Sequence, residues 1–128
     1  MLRILVADDH PVVRQGLIQI LLEEFSPVEI EEAENTQSLI EKALEGSWDL
    51  VISDLAMPGG GGIVALKKIK LVKKEPPVLI VSTYPAEQYA SRVMKAGAHD
   101  FVNKDSLPMG LVNAVRMTLA GELPGLPG

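Results

Sequence analysis

Five short apolar runs, at residues 2–7, 28–33, 50–54, 78–82 and 99–103, punctuate the chain, and each is followed by a stretch of helical spacing. Runs of this length are too short for helices, and three of them are apolar nearly throughout, as strands buried on both faces are. The second, Val28 to Ala33, alternates apolar and acidic residues and reads as a more exposed strand. Between the runs, Pro11 suits a first helical turn, after which Val13, Leu17, Ile20 and Leu21 recur up to Phe25. Asn35 or Thr36 suits the cap of a helix through Leu39, Ile40, Ala43 and Leu44 to Gly46. Further helices are expected over 63–74, stopped by Pro76-Pro77, and over 86–96, stopped by Gly97. Ser106 is the expected cap of a last helix with the stripe Leu111, Val112, Val115 and Leu119. Five successive strand-then-helix units specify a parallel sheet covered on both faces. A closed eight-unit barrel needs about twice this length, so the expected fold is α/β with an open, doubly wound five-stranded sheet.

A chain of 128 residues is one domain, expected over 1–121, with the two Leu-Pro-Gly units of 122–128 read as a linker start or tail. There is no cysteine, which excludes disulfides, thiolate metal sites and cysteine nucleophiles. Met1 is followed by too few apolar residues for a signal-peptide core, and no run approaches the ~20 residues of a membrane span. A soluble, cytoplasmic protein without membrane contact is expected. The net charge of -5 lacks the basic footprint of a nucleic-acid-binding domain. Lys67, Lys68, Lys70, Lys73 and Lys74 read as one solvated helix face.

The strand ends carry the chemistry. Asp8 and Asp9 close the first run, Asp54 the third, Ser82 the fourth, and Lys104 follows the fifth. In open α/β sheets the carboxyl ends of the strands form the ligand crevice. Each residue alone has a plain explanation as a cap, turn or surface residue. Three carboxylates gathered at one edge, however, repel and retain protons unless a cation sits among them, and all-oxygen donors suit a hard ion such as Mg2+. Asp54 then qualifies as a nucleophile towards a phosphoryl group, with Lys104 neutralising charge and Ser82 donating a hydrogen bond. An aspartate needs no general base at neutral pH.

The motifs Ile-Leu-Val-Ala-Asp-Asp-His (4–10), Asp-Leu-Val-Ile-Ser-Asp-Leu-Ala-Met-Pro (49–58), Val-Leu-Ile-Val-Ser (78–82) and Gly-Ala-His-Asp-Phe-Val-Asn-Lys (97–104) stand in order along the chain. Over residues 2–120 the sequence resembles the receiver domain of bacterial two-component response regulators. Residues 8–17 are similar to the opening of regulators with a LuxR-type helix-turn-helix output. The resemblance implies a flavodoxin-like sheet ordered 2-1-3-4-5, and phosphoryl transfer to Asp54 from the phosphohistidine of a sensor histidine kinase. It further implies Mg2+ held by Asp9, Asp54 and the Ala56 carbonyl, with Asp8 acting through water. Lys104 pairs with the phosphoryl oxygens, and Ser82 and Phe101 form the switch that alters the surface of helix four, strand five and helix five. DNA is then reached only through a C-terminal output domain, and self-association follows phosphorylation. Tyr89, Arg92 and Met94 on helix four are candidate contact residues, although a solvent face explains them equally. His10, beside Pro11, reads as a loop or cap residue.

Three departures from the family pattern carry expectations. Gly59 to Gly62 replace a loop with a polar helix cap, which predicts mobility after Asp54. Asp105 replaces the usual proline after Lys104, which argues against a cis peptide there. Thr83 is larger than the usual small residue at the site mouth, which predicts an altered phosphoryl lifetime. Rival readings fit less well. A flavodoxin needs a phosphate cradle where Asp8-Asp9 stands, and an aspartate phosphatase needs a second acid where Ala56 stands. A receiver-shaped interaction module that is never phosphorylated has no need of the full acidic set.

Overall fold

The computed structural model describes residues 1–121, so the tail expected over 122–128 lies outside the described residues. In chain order the elements are β1 (Leu2–Ala7), α1 (Pro11–Phe25), β2 (Val28–Ala33), α2 (Thr36–Glu45), β3 (Leu50–Asp54), α3 (Gly61–Val72), β4 (Val78–Ser82), α4 (Ala86–Lys95), β5 (Asp100–Asn103) and α5 (Met109–Leu119). A single 3-10 turn, Lys104–Ser106, joins β5 to α5. The strands form one parallel sheet in the order β2-β1-β3-β4-β5.

The pleat divides the interior in two. Ile4, Val6, Leu50, Ile52, Leu79 and Val81 pack with Leu17 and Leu21 of α1 and Leu111 and Val115 of α5. Their sequence neighbours Leu5, Ala7, Val51 and Ile80 pack on the other face with Leu39 of α2, Leu66 of α3 and Val93 of α4. This period-two partition of nearly continuous apolar runs is what a sheet covered on both faces requires. Among the described residues no helix is long and apolar enough to cross a membrane.

Several boundaries depart from the sequence expectation for identifiable reasons. Ser106 does not cap α5; its hydroxyl donates to the Asn103 carbonyl at 2.7 Å. Leu107 precedes a proline and is extended at ψ 149°, so no helix runs through it and α5 starts only after Pro108. Within α5, Thr118 rather than Leu119 completes the buried stripe, its hydroxyl satisfied by the Ala114 carbonyl at 2.7 Å, while Leu119 is exposed. The lysines of α3 are not one solvated face. Lys70 Nζ donates to the carbonyls of Lys74 and Pro76, and Lys73 Nζ to that of Gly46 at 3.1 Å. These contacts satisfy carbonyls at and beyond helix ends, whereas Lys67 and Lys68 are exposed as expected.

Candidate functional site

β1 lies between β2 and β3, and the chain leaves β1 towards one face (α1) and β3 towards the other (α3). The crevice of a doubly wound sheet opens at this switch point, beyond the strands' carboxyl ends. Asp54 is the last residue of β3 and Ser82 the last of β4, while Asp8 directly follows β1 and Lys104 directly follows β5. Register completes the convergence, with Ala7 paired to Ser53, Asp54 to Val81 and Ser82 to Asn103.

Asp8 is fully buried and Asp54 is 6% exposed. Lys104 Nζ lies 3.2 Å from Asp8 Oδ2 and 3.2 Å from Asp54 Oδ1, bridging the two. Asp8 Oδ1 accepts the His10 backbone N–H at 2.8 Å, and the Asp8 N–H donates to the Ala33 carbonyl at 3.0 Å. Burial is the largest influence on Asp54 and raises its pKa; the negative charge of Asp8 pushes the same way, against the attraction and hydrogen bond of Lys104. Oxygens of Asp8, Asp9 and Asp54 and a ring nitrogen of His10 all lie within 4.8 Å of one another. Asp9 Oδ1 is buried without a hydrogen-bond partner, since His10 Nδ1, 3.1 Å away, lacks the alignment of a hydrogen bond. A buried carboxylate oxygen left without a donor, beside two further carboxylates and one ammonium, fits a hard divalent cation.

Of the other expected residues, Ala56 lies in the exposed loop just after Asp54. Ser82 is fully buried, its Oγ accepting the Tyr84 N–H at 2.9 Å. Phe101 is half-buried against the α2/α3/α4 core, where Tyr89 also packs. Arg92 is exposed, its guanidinium 5.7 Å from the Tyr89 ring, and Met94 is 38% exposed. Thr83, directly after Ser82, is exposed. Among the described residues the cis peptides precede Pro27, Pro76 and Pro108, and the Lys104–Asp105 bond is trans.

The glycine run is more constrained than its composition suggested. Gly61 has φ +86°, a conformation L side chains rarely adopt, and a Cβ on Gly62 would lie 2.5 Å from the Asp54 carbonyl oxygen. The helix start therefore rests directly on the end of β3. The absent cap is replaced from α2: Thr36 Oγ1 accepts the Gly61 N–H at 2.9 Å. Nothing in the sequence pairs residues 36 and 61, and a threonine at this position reads only as a cap of its own helix. His10 occupies the cap position of α1 that its place beside Pro11 suggests, but its side chain makes no capping bond and turns towards Asp8 and Asp9.

The response regulator receiver domain family matches residues 4–116. The chain belongs to this family. The receiver is 34% identical to Fimbriae Z protein of Salmonella typhimurium over 119 residues, covering 92% of this chain and 56% of that protein. It thus spans little more than half the length of such curated relatives. A LuxR-family two-component response regulator of Aurantimonas sp. is 34% identical with a TM-score of 0.86, covering 94% of this chain and 86% of that one. The response regulator TrrA of Thermotoga maritima, solved in complex with Mg2+-BeF, is 34% identical with a TM-score of 0.83, covering 92% and 99%. The receiver domain is thus a signalling domain, with a flavodoxin-like sheet and an acidic cluster at its carboxyl edge.

Proposed function

We propose that this receiver takes a phosphoryl group on Asp54 from the phosphohistidine of a sensor histidine kinase, in a Mg2+-dependent step. The observation carrying this reading is the bridge from Lys104 to two buried carboxylates, Asp8 and Asp54, beside an Asp9 oxygen that has no donor. Asp9, Asp54 and the Ala56 carbonyl would hold the cation directly and Asp8 through water. The bound cation supplies charge neutralisation for the incoming phosphoryl oxygens. An Asp54 oxygen attacks phosphorus as the phosphorus–nitrogen bond of the donor breaks, and the released imidazole takes its proton from water. Lys104 exchanges part of its pairing with Asp8 and Asp54 for a phosphoryl oxygen. Ser82 rotates from Tyr84 towards the phosphate, and Phe101 occupies the space vacated, biasing the α4–β5–α5 surface between two packings. An output domain that binds DNA would read that surface, a reading supported by longer relatives, named as regulators, of which this chain spans little more than half.

The test is intact mass after incubation with acetyl phosphate, with Mg2+ or a chelator. A Mg2+-dependent, base-labile phosphoryl adduct on the wild type that is missing from Asp54→Asn is the expected result. No adduct on a folded wild type that binds Mg2+ would overturn the proposal in favour of a receiver-shaped interaction module.

A further inference from the structure

α3 begins inside four consecutive glycines, which offer no side chain to the free N–H groups of a helix start. The structure meets this need from a distant element. The Thr36 hydroxyl accepts the Gly61 N–H at 2.9 Å, and the Thr36 N–H donates to the Pro58 carbonyl at 3.0 Å, so one residue grips the loop on both sides of Gly59-Gly60. Thr36 is only 2% exposed, and Gly59 sits so close that a Cβ there would lie 3.1 Å from the Thr36 Cβ. Its own helix does not use this hydroxyl, because Asn35 Oδ1 caps α2 by accepting the Ser38 N–H at 2.8 Å. On the other side of the loop, the Gly62 N–H donates to the Leu55 carbonyl at 2.8 Å. Residues 55–62 thus form a closed loop, fastened at its base to the end of β3 and at its tip to α2. That loop carries Ala56 and directly follows Asp54.

We propose that Thr36 is a positioning residue of the Asp54 site: its hydroxyl caps α3 in trans and holds the Ala56 loop in the cation-binding arrangement. The inference rests on the receiver reading of the site. A loop freed of this cap spends part of its time in other arrangements, and apparent cation affinity falls by the fraction of time lost.

The experiment compares wild type, Thr36→Val and Thr36→Ser by Mg2+ titration calorimetry and by amide hydrogen exchange. Thr36→Val keeps shape and backbone N–H but loses the acceptor, and its Mg2+ affinity is expected to fall roughly three- to tenfold. Its Gly61 amide should exchange faster while amides of the central strands do not, and Thr36→Ser should restore both values. Unchanged Mg2+ affinity and unchanged Gly61 exchange in a folded Thr36→Val would overturn the proposal. Should Thr36→Val fail to fold, the wild type decides: its Gly61 amide must exchange more slowly than the amide of Gly60, an exposed residue, and equal rates would overturn the proposal. Loss of the Asp54 adduct in wild type together with an intact Thr36 effect on Mg2+ affinity and exchange would remove the phosphoacceptor reading and support this one.

Discussion

Asp8→Asn should make the cation-free receiver more stable while weakening its hold on Mg2+. The wild-type site gathers three carboxylates around a single ammonium, with ligand oxygens within 4.8 Å. With 4.8 Å as the upper limit of that separation and an effective dielectric of ~20, each carboxylate repels Asp8 by at least about 3.5 kcal/mol before screening. Lys104 at 3.2 Å returns about 5 kcal/mol of attraction on the same scale. Because Asp9 is partly open to solvent its share is screened, and the net strain on the Asp8 charge is about 1–2 kcal/mol, before the desolvation of a fully buried group. Asparagine keeps a carbonyl oxygen for the His10 N–H, and Lys104 keeps Asp54 as its partner. Thermal unfolding in chelator should therefore show a midpoint raised by roughly 4–8 °C. Mg2+ should then raise the wild-type midpoint well above its chelator value and move the variant far less. An Asp8→Asn midpoint equal to or below wild type in chelator, with the same response to Mg2+, would refute the reasoning, because the carboxylates would not be in conflict.

Asp54→Asn should also stabilise the cation-free protein, with a pH signature. The folded-state pKa of Asp54 is raised above its ordinary value by burial, so ionising it costs stability as pH climbs from the usual carboxyl range through that raised value. The advantage of Asn over Asp should be absent in acid and complete near neutral pH; urea midpoints across that range that run parallel for the two proteins would contradict it. Gly62→Ala places a Cβ 2.5 Å from the Asp54 carbonyl oxygen and 3.3 Å from Ile80 Cδ1, and should cost about 1–3 kcal/mol in urea unfolding; a cost within error of zero would mean the helix start moves freely. Thr83→Ala should change the decay rate of the Asp54 phosphoryl adduct, read by intact mass over time, and equal rates would remove Thr83 from the mouth of the site.

The parts of the molecule that were legible in the sequence are those governed by period and punctuation. The apolar runs at residues 50–54 and 78–82 announced fully buried strands, and their polar last residues, Asp54 and Ser82, announced the site edge. Lys104 and Asp8 could be placed at that edge because each directly follows a strand. Contacts between distant, unpatterned residues left no such trace. The Thr36–Gly61 bond joins residues 25 apart, and a threonine at a helix start gives no sign of which helix it serves. Local geometry misled at Ser106, where a good capping residue was overruled by the extended backbone that Pro108 imposes on Leu107. Composition misled at Gly59 to Gly62, where the glycines serve close approach to the Asp54 carbonyl and to Thr36.

The pleat that sends Ile4 and Val6 to one face and Leu5 and Ala7 to the other has a consequence for how such a chain tolerates change. A substitution at Leu17 or Leu111 disturbs only the α1/α5 side, and one at Leu66 or Val93 only the side of α2, α3 and α4. Energetic penalties on the two sides should therefore add, because separated sites without shared partners do not couple. Packing changes under α1 and those under α2 and α3 can in this way accumulate with little energetic cross-talk. The strand ends, at Asp8, Asp54, Ser82 and Lys104, lie where both layers meet and answer to both.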